Sequence, residues 1–75
     1  MSERSRNLIY TIDHPDHIER IWLFAQQRGL YMYKTRVTHS WVAWVIEIPA
    51  NTAVQTRFLL EFSNSVTNVM GVYYT

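Results

Sequence analysis

The stretch YMYKTRVTHSWVAWVIEI, residues 31–48, decides the fold of this chain. It is rich in aromatic and β-branched residues, which favour strands. A single strand of that length would span about 60 Å at ~3.3 Å per residue, which is too long for so small a domain. The stretch must therefore fold back on itself as a hairpin. Its polar break is Thr38-His39-Ser40, and we place the turn there.

Upstream of this hairpin the sequence predicts one strand and one helix. The segment LIYTI, residues 8–12, is β-branched and aromatic and predicts the first strand. We expect Asp13 or His14 to cap a helix that runs to about Arg28, with Gly29 as the left-handed residue after it. The apolar residues expected to face the core recur at helical spacing: Ile18, Ile21, Trp22 and Ala25.

Downstream of the hairpin the pattern predicts a second helix and a last strand. Pro49 ends the third strand, and Asn51 or Thr52 is expected to cap a helix that runs to about Asn64. Residues 68–74 predict a final, short strand. The expected core face of the second helix comprises Val54, Phe58, Leu59 and Phe62.

The predicted order of elements is β-α-β-β-α-β within a single α+β domain, residues 1–75, that begins with a polar arm, residues 1–6. Right-handed crossovers then favour a four-stranded antiparallel sheet with both helices on one face, the ferredoxin-like split βαβ arrangement. Its first and third strands would be central. A dimer with a swapped or shared sheet is the chief alternative, because the hairpin is long and the last strand is short.

Composition excludes several classes of protein. The chain is 48% hydrophobic, which argues against disorder. It has no cysteine, so it depends on apolar burial or on pairing with another chain. A formal net charge of +1 disfavours duplex nucleic acid as the main partner. The absence of a long apolar run and of a signal-peptide pattern leads us to expect a cytoplasmic protein.

Alternation along the strands predicts which residues lie on the sheet face that no helix covers, here called the open face. In the third strand, Val42, Trp44, Ile46 and Ile48 are the more apolar set and are expected under the helices. In the second strand, the expected core set is Tyr31, Tyr33, Thr35 and Val37. The predicted binding surface on the open face therefore comprises Met32, Lys34, Arg36, Trp41 and Val45.

Two kinds of partner fit such a mixed apolar and basic surface. Exposed apolar patches rich in Trp, Met and Arg mark protein contacts. Aromatic residues beside cations also hold single-stranded RNA or DNA, and a basic arm with Arg4 and Arg6 would add to that. The strand order is similar to that of the RNA recognition motif. The stretch SWVAWVIEI, however, lacks that family's glycine and its alternating aromatics, so no binding residue is carried over.

Two histidines three residues apart, His14 and His17, are weak candidates for a metal site, because helical spacing would place them on one face. The surrounding sequence, DHPDHIER, is also a typical helix start, and this interpretation needs no metal. No nucleophile–base motif, phosphate loop or carboxylate pair occurs in a recognisable context. We therefore expect no cofactor and no enzyme activity.

The leading hypothesis is a small non-enzymatic domain that docks on another protein, such as a regulator or inhibitor; compact accessory proteins of phages are one class of this kind. The partner could also be a second copy of the chain. The alternative is a single-stranded nucleic-acid-binding module, and we expect neither a membrane nor a small-molecule substrate as partner.

Overall fold

A computed structural model describes residues 5–74 of the chain. The described residues form β1 (Ser5–Ile12), a 3₁₀ turn (Pro15–His17), α1 (Ile18–Arg28), β2 (Met32–Arg36), β3 (Val42–Pro49), α2 (Ala53–Phe62) and β4 (Val66–Tyr74). The α+β class predicted from the sequence is confirmed. Neither helix in this part of the chain is long and apolar enough to cross a membrane.

The four strands form one sheet in the order β2-β3-β1-β4, with every neighbouring pair antiparallel. The inner strands β1 and β3 pair from Asn7 opposite Pro49 to Thr11 opposite Val45. The register between β1 and β4 shifts at Ile9/Tyr10, which marks a β-bulge in the edge strand β4. Bulges of this kind are common at sheet edges, where they bend the strand and interrupt its pairing pattern.

Both helices pack on the same face of the sheet. The opposite face, the open face, therefore remains uncovered. Sheet residues of the core include Tyr10, Ile46 and Ile48, and they join α1 and α2 in one buried cluster. At its centre the Phe58 ring, fully buried, lies 5.3 Å from the ring of Tyr10 and 5.6 Å from that of Phe24 between centroids. Such tilted aromatic pairs add to the stabilisation that comes from apolar burial. The core residues predicted for α2 are confirmed.

The start of α1 differs from the prediction. A 3₁₀ turn precedes the α-helix, and no side chain caps either element. Of the two predicted caps, His14 occupies the N-cap position of the 3₁₀ turn, although its side chain makes no capping hydrogen bond. Asp13 is instead an acceptor for the hydroxyls of Thr11 and Thr67, so the alternative that Asp13 caps the helix is wrong. Trp22 was expected in the core, yet it is 46% exposed, while Phe24 is buried in its place.

The other helix termini follow the sequence signals. Gly29 adopts the left-handed conformation with φ 65° and ends α1. The Thr52 hydroxyl oxygen accepts a hydrogen bond from the backbone N–H of Gln55 and thereby caps α2. This helix ends at Phe62, and β4 begins at Val66, earlier than expected. The last strand is therefore nine residues long rather than short.

The hairpin turn lies where the sequence predicted, but the face of β2 is reversed. Val37 and Trp41 flank the turn, and the Val37 N–H donates to the Trp41 carbonyl over 2.7 Å. The register then places Met32 opposite Ile46, which belongs to the core cluster. Directly opposite residues of an antiparallel pair lie on one face, so Met32 is on the helix side. The predicted face of β2 is therefore wrong.

Candidate functional site

The open face of the sheet carries an apolar groove with a volume of about 420 Å³, here called the open-face groove. Its apolar lining comes from all four strands and the hairpin turn: Ile9, Tyr33, Val37, Trp41, Val45 and Val69. Val45 and Ile9 are buried and form the floor. Trp41 and Tyr33, which are 43% and 36% exposed, stand at the rim together with Val69.

The strand register explains why these side chains converge. Val45 lies opposite Thr11 on one side and opposite Tyr33 on the other, so the three side chains cross the sheet in one row. Trp41 immediately precedes β3 and is held in the turn by its backbone bonds to Val37 and Thr38. The Trp41 side chain has just two torsions and its backbone is held in the turn, so little conformational entropy is lost when it becomes ordered on binding.

A buried carboxylate lies beside the open-face groove. Glu47 is 7% exposed, and its Oε2 accepts a hydrogen bond from the Tyr33 hydroxyl over 2.7 Å. Its Oε1 accepts one from Asn7 Nδ2 over 3.2 Å. Hydrogen bonds to a carboxylate offset the loss of its hydration on burial. They also hold the Tyr33 ring over the open face.

A second carboxylate lies at the end of β1 on the same side of the sheet. Asp13 Oδ1 accepts from the Thr11 hydroxyl at 3.2 Å, and Oδ2 accepts from the Thr67 hydroxyl at 2.5 Å. Thr11 and Thr67 face each other across β1 and β4. Among the described residues, the open face thus carries the carboxylates of Glu47 and Asp13, and each accepts hydrogen bonds from neighbouring side chains.

The predicted binding residues are only partly brought together. Trp41 and Val45 line the open-face groove as predicted. Arg36 reaches its rim, where the guanidinium Nη1 donates to the His39 carbonyl oxygen over 3.3 Å. Met32 and Lys34 lie opposite Ile46 and Trp44 on the helix side, so they do not contribute to this surface.

The sequence predicted a basic arm with Arg4 and Arg6, but Arg6 is part of the sheet and not of a separate arm. Arg6 belongs to β1, where it pairs with Tyr73 of β4, and its carbonyl accepts a hydrogen bond from the Ala50 N–H. Arg4 lies outside the described residues. The prediction that both contact nucleic acid stays a prediction.

The two histidines are neighbours, with ring centroids 5.7 Å apart. In the described part of the chain, no group of three or more His, Cys, Asp or Glu side chains is arranged to hold a metal ion. His17 has a different partner, because its Nδ1 is hydrogen-bonded to the hydroxyl of Ser65. Ser65 is 4% exposed, and its carbonyl accepts from the Asp13 N–H over 2.7 Å. This cluster joins the start of the α1 segment to the start of β4.

Sequence reasoning missed four apolar contributors to the groove, namely Tyr33, Val37, Ile9 and Val69. The sequence did contain a signal for Tyr33. A three-residue turn at 38–40 places Val37 opposite Trp41, and alternate residues of a strand share one face. Tyr33 therefore lies on the same face as Trp41. The position of Val69 in the groove depends on the bulge in β4, which no local sequence pattern predicts.

Comparison with known proteins adds no further assignment. The chain matches no protein-family model, no curated protein and no solved structure.

Proposed function

We propose that this protein is a small non-enzymatic binding domain that acts by docking its open sheet face on another protein. The observation that carries the proposal is the open-face groove, which joins a buried apolar floor to the half-exposed rings of Trp41 and Tyr33. Large aromatic residues around a desolvated apolar centre are typical of the residues that dominate binding energy at protein interfaces. A regulator or inhibitor acts through such a surface.

The charges of the open face favour a protein partner over nucleic acid. Phosphate-binding surfaces need several cations directed at the strand. Here Arg36 stands at the rim, Lys34 lies on the helix side, and the carboxylates of Glu47 and Asp13 lie on the open side. Among the described residues that line the open-face groove, Arg36 is the one cation available to a phosphate.

We also propose that the architecture is the ferredoxin-like split βαβ arrangement. The strand order β2-β3-β1-β4, the antiparallel pairs and the common face of the two helices support it. In this arrangement one sheet face remains uncovered, which is the face that carries the open-face groove.

The contact between Ser65 and His17 supports a structural role for these residues in a non-enzymatic domain. A serine nucleophile must reach its substrate, whereas Ser65 is almost fully buried. The nitrogen that bonds to it, Nδ1, is the one that the carboxylate orients in a Ser-His-Asp triad. Joining two chain segments is the simpler role for this pair.

The proposal is tested by Trp41→Lys with Trp22→Lys as the matched control. Both tryptophans are about half exposed, but Trp22 lies on α1, away from the open face. The proteins are immobilised and used to capture partners from an extract of the native host, and self-association is followed by sedimentation. We expect Trp41→Lys to lose a specific captured protein, or self-association, by about tenfold or more, because rim aromatics dominate such interfaces.

Trp22→Lys is expected to retain that capture, and circular dichroism checks that both variants fold. Equal capture by the two variants contradicts the proposal. So does the absence of any captured protein and of self-association in the unchanged protein. Retention of RNA or single-stranded DNA by the unchanged protein, lost in Trp41→Lys and weakened steeply by salt, would favour the nucleic-acid alternative.

A further inference from the structure

A second surface lies on the opposite side of the molecule, between the outer faces of α1 and α2. An open groove of about 240 Å³ runs between the helices and is here called the interhelical groove. Three arginines line it: Arg20 and Arg28 from α1, and Arg57 from α2. Its single acidic lining residue is Glu61. The groove is therefore strongly basic in a chain whose formal net charge is +1.

Two of these arginines lack an acidic partner among the described residues. Arg57 Nε lies 3.1 Å from Glu61 Oε1, and the two form an ion pair one helical turn apart. Arg20 and Arg28 have no carboxylate within ion-pair distance in the described part of the chain. Their guanidinium groups therefore retain unused positive charge and hydrogen-bond donors for an anionic ligand.

Aromatic rings of the core hold these arginines in place. The Arg28 guanidinium carbon lies 3.9 Å from the centre of the Phe24 ring, and that of Arg20 lies 5.9 Å from the Phe62 ring. Both distances fall within the range of cation–π attraction. The arginines are thus positioned beside the groove before any ligand binds, which lowers the entropy lost on binding.

The contacts between these arginines and the phenylalanine rings also favour a protein ligand over a nucleic acid. Phe24 and Phe62 are buried, and arginines lie against their rings, so neither ring offers a free platform on which a nucleotide base could stack. The exposed apolar side chains here are aliphatic instead. Leu23 lines the groove and is half exposed, and Leu60, one turn beyond Arg57, is 78% exposed. Each helix therefore presents an exposed leucine near its arginines.

We propose that the interhelical groove binds an acidic amphipathic helix of a partner protein. Carboxylates on one side of such a helix pair with Arg20 and Arg28, and its apolar side covers Leu23 and Leu60. A groove between two helices is a common seat for a third, amphipathic helix. This surface is separate from the open-face groove, so the domain has two docking surfaces and can bridge two proteins.

The test uses a synthetic helical peptide of about 20 residues, rich in Glu and Leu, and a Lys/Leu peptide of the same pattern. Backbone amide signals of the ¹⁵N-labelled protein are followed by NMR during titration at low salt. We expect the acidic peptide to shift signals of Arg20, Leu23 and Arg57 and to leave those of Trp41 and Val45 unchanged. The Lys/Leu peptide is expected to cause no such shifts, because like charges repel.

The second part of the test reverses the charge of the groove arginines. Arg20→Glu with Arg28→Glu is expected to weaken binding by about tenfold or more, because both ion pairs become repulsive. Lys34→Glu with Arg36→Glu changes the net charge equally but alters β2, and it is expected to change the affinity less than about twofold. Binding by the acidic peptide that is equally sensitive to both pairs contradicts the proposal.

The unchanged protein alone can also overturn the inference. No signal change with the acidic peptide up to millimolar concentration, or shifts confined to the open face, excludes the proposed ligand. Shifts in the interhelical groove with a single-stranded oligonucleotide, but none with the peptide, show that phosphate is recognised instead. These outcomes do not depend on how the variants fold.

Discussion

The hydroxyl of Tyr33 donates a hydrogen bond to Oε2 of Glu47 over 2.7 Å, from edge strand β2 to the inner strand β3. This bond lies on the face of the sheet opposite the helices. It satisfies a carboxylate that is 7% exposed and orients an aromatic ring at the rim of the open-face groove. One interaction therefore links the stability of the hairpin to the shape of the proposed docking surface.

Replacing Tyr33 by Phe removes this donor and keeps the ring. We expect the free energy of unfolding to fall by about 1–2 kcal/mol, because a nearly buried carboxylate oxygen loses a partner. Urea denaturation followed by circular dichroism measures the change. Tyr31→Phe is the control, since Tyr31 is 69% exposed, and it should change stability by less than about 0.5 kcal/mol. Equal losses in the two variants would show that the Glu47 bond is not what Tyr33 contributes.

The reversed face of β2 predicts a different stability effect for two neighbouring residues. Met32 packs against the core cluster, so Met32→Ala is expected to lower the free energy of unfolding by about 1–2 kcal/mol. Lys34 lies on the same face but is exposed, and Lys34→Ala should have an effect below about 0.5 kcal/mol. Thermal unfolding of both variants measures the difference. A Met32→Ala variant as stable as the unchanged protein would indicate that Met32 faces solvent.

The hydrogen bond between Ser65 and His17 predicts a local as well as a global effect. Ser65→Ala is expected to cost about 1 kcal/mol of unfolding free energy, since it removes a nearly buried partner of the imidazole. It should also speed hydrogen exchange at the Asp13 amide, which donates to the Ser65 carbonyl. Ser63→Ala is the control because Ser63 is exposed at the end of α2. If it accelerates Asp13 exchange equally, the Ser65 hydroxyl is not responsible.

Some features of the fold could be predicted because they depend on residues close together in the chain. The turn at 38–40, the left-handed Gly29 and the Thr52 cap follow from local backbone preferences. The buried face of α2 follows from helical spacing, with Phe58 and Phe62 one turn apart.

The faces of β2 could not be predicted from apolarity. Tyr33 looked more suited to the core than Met32 and Lys34 did. Lys34 lies on an edge strand, however, where its long chain can carry the ammonium group past the sheet into water while its stem remains on the helix side. The register of the hairpin therefore decided the face, and the hydrophobic pattern did not.

The candidate site was predicted to the extent that Trp41 and Val45 lie on the open face. The sequence by itself determined the number and order of the strands and α-helices, because strand and helix preferences are set by neighbouring residues. The tertiary structure alone decided that Tyr33 meets Glu47, that Asp13 serves Thr11 and Thr67 instead of capping a helix, and that Ser65 meets His17. Most of these contacts join residues that are distant in the chain, so strand pairing and packing, which no local pattern encodes, bring them together.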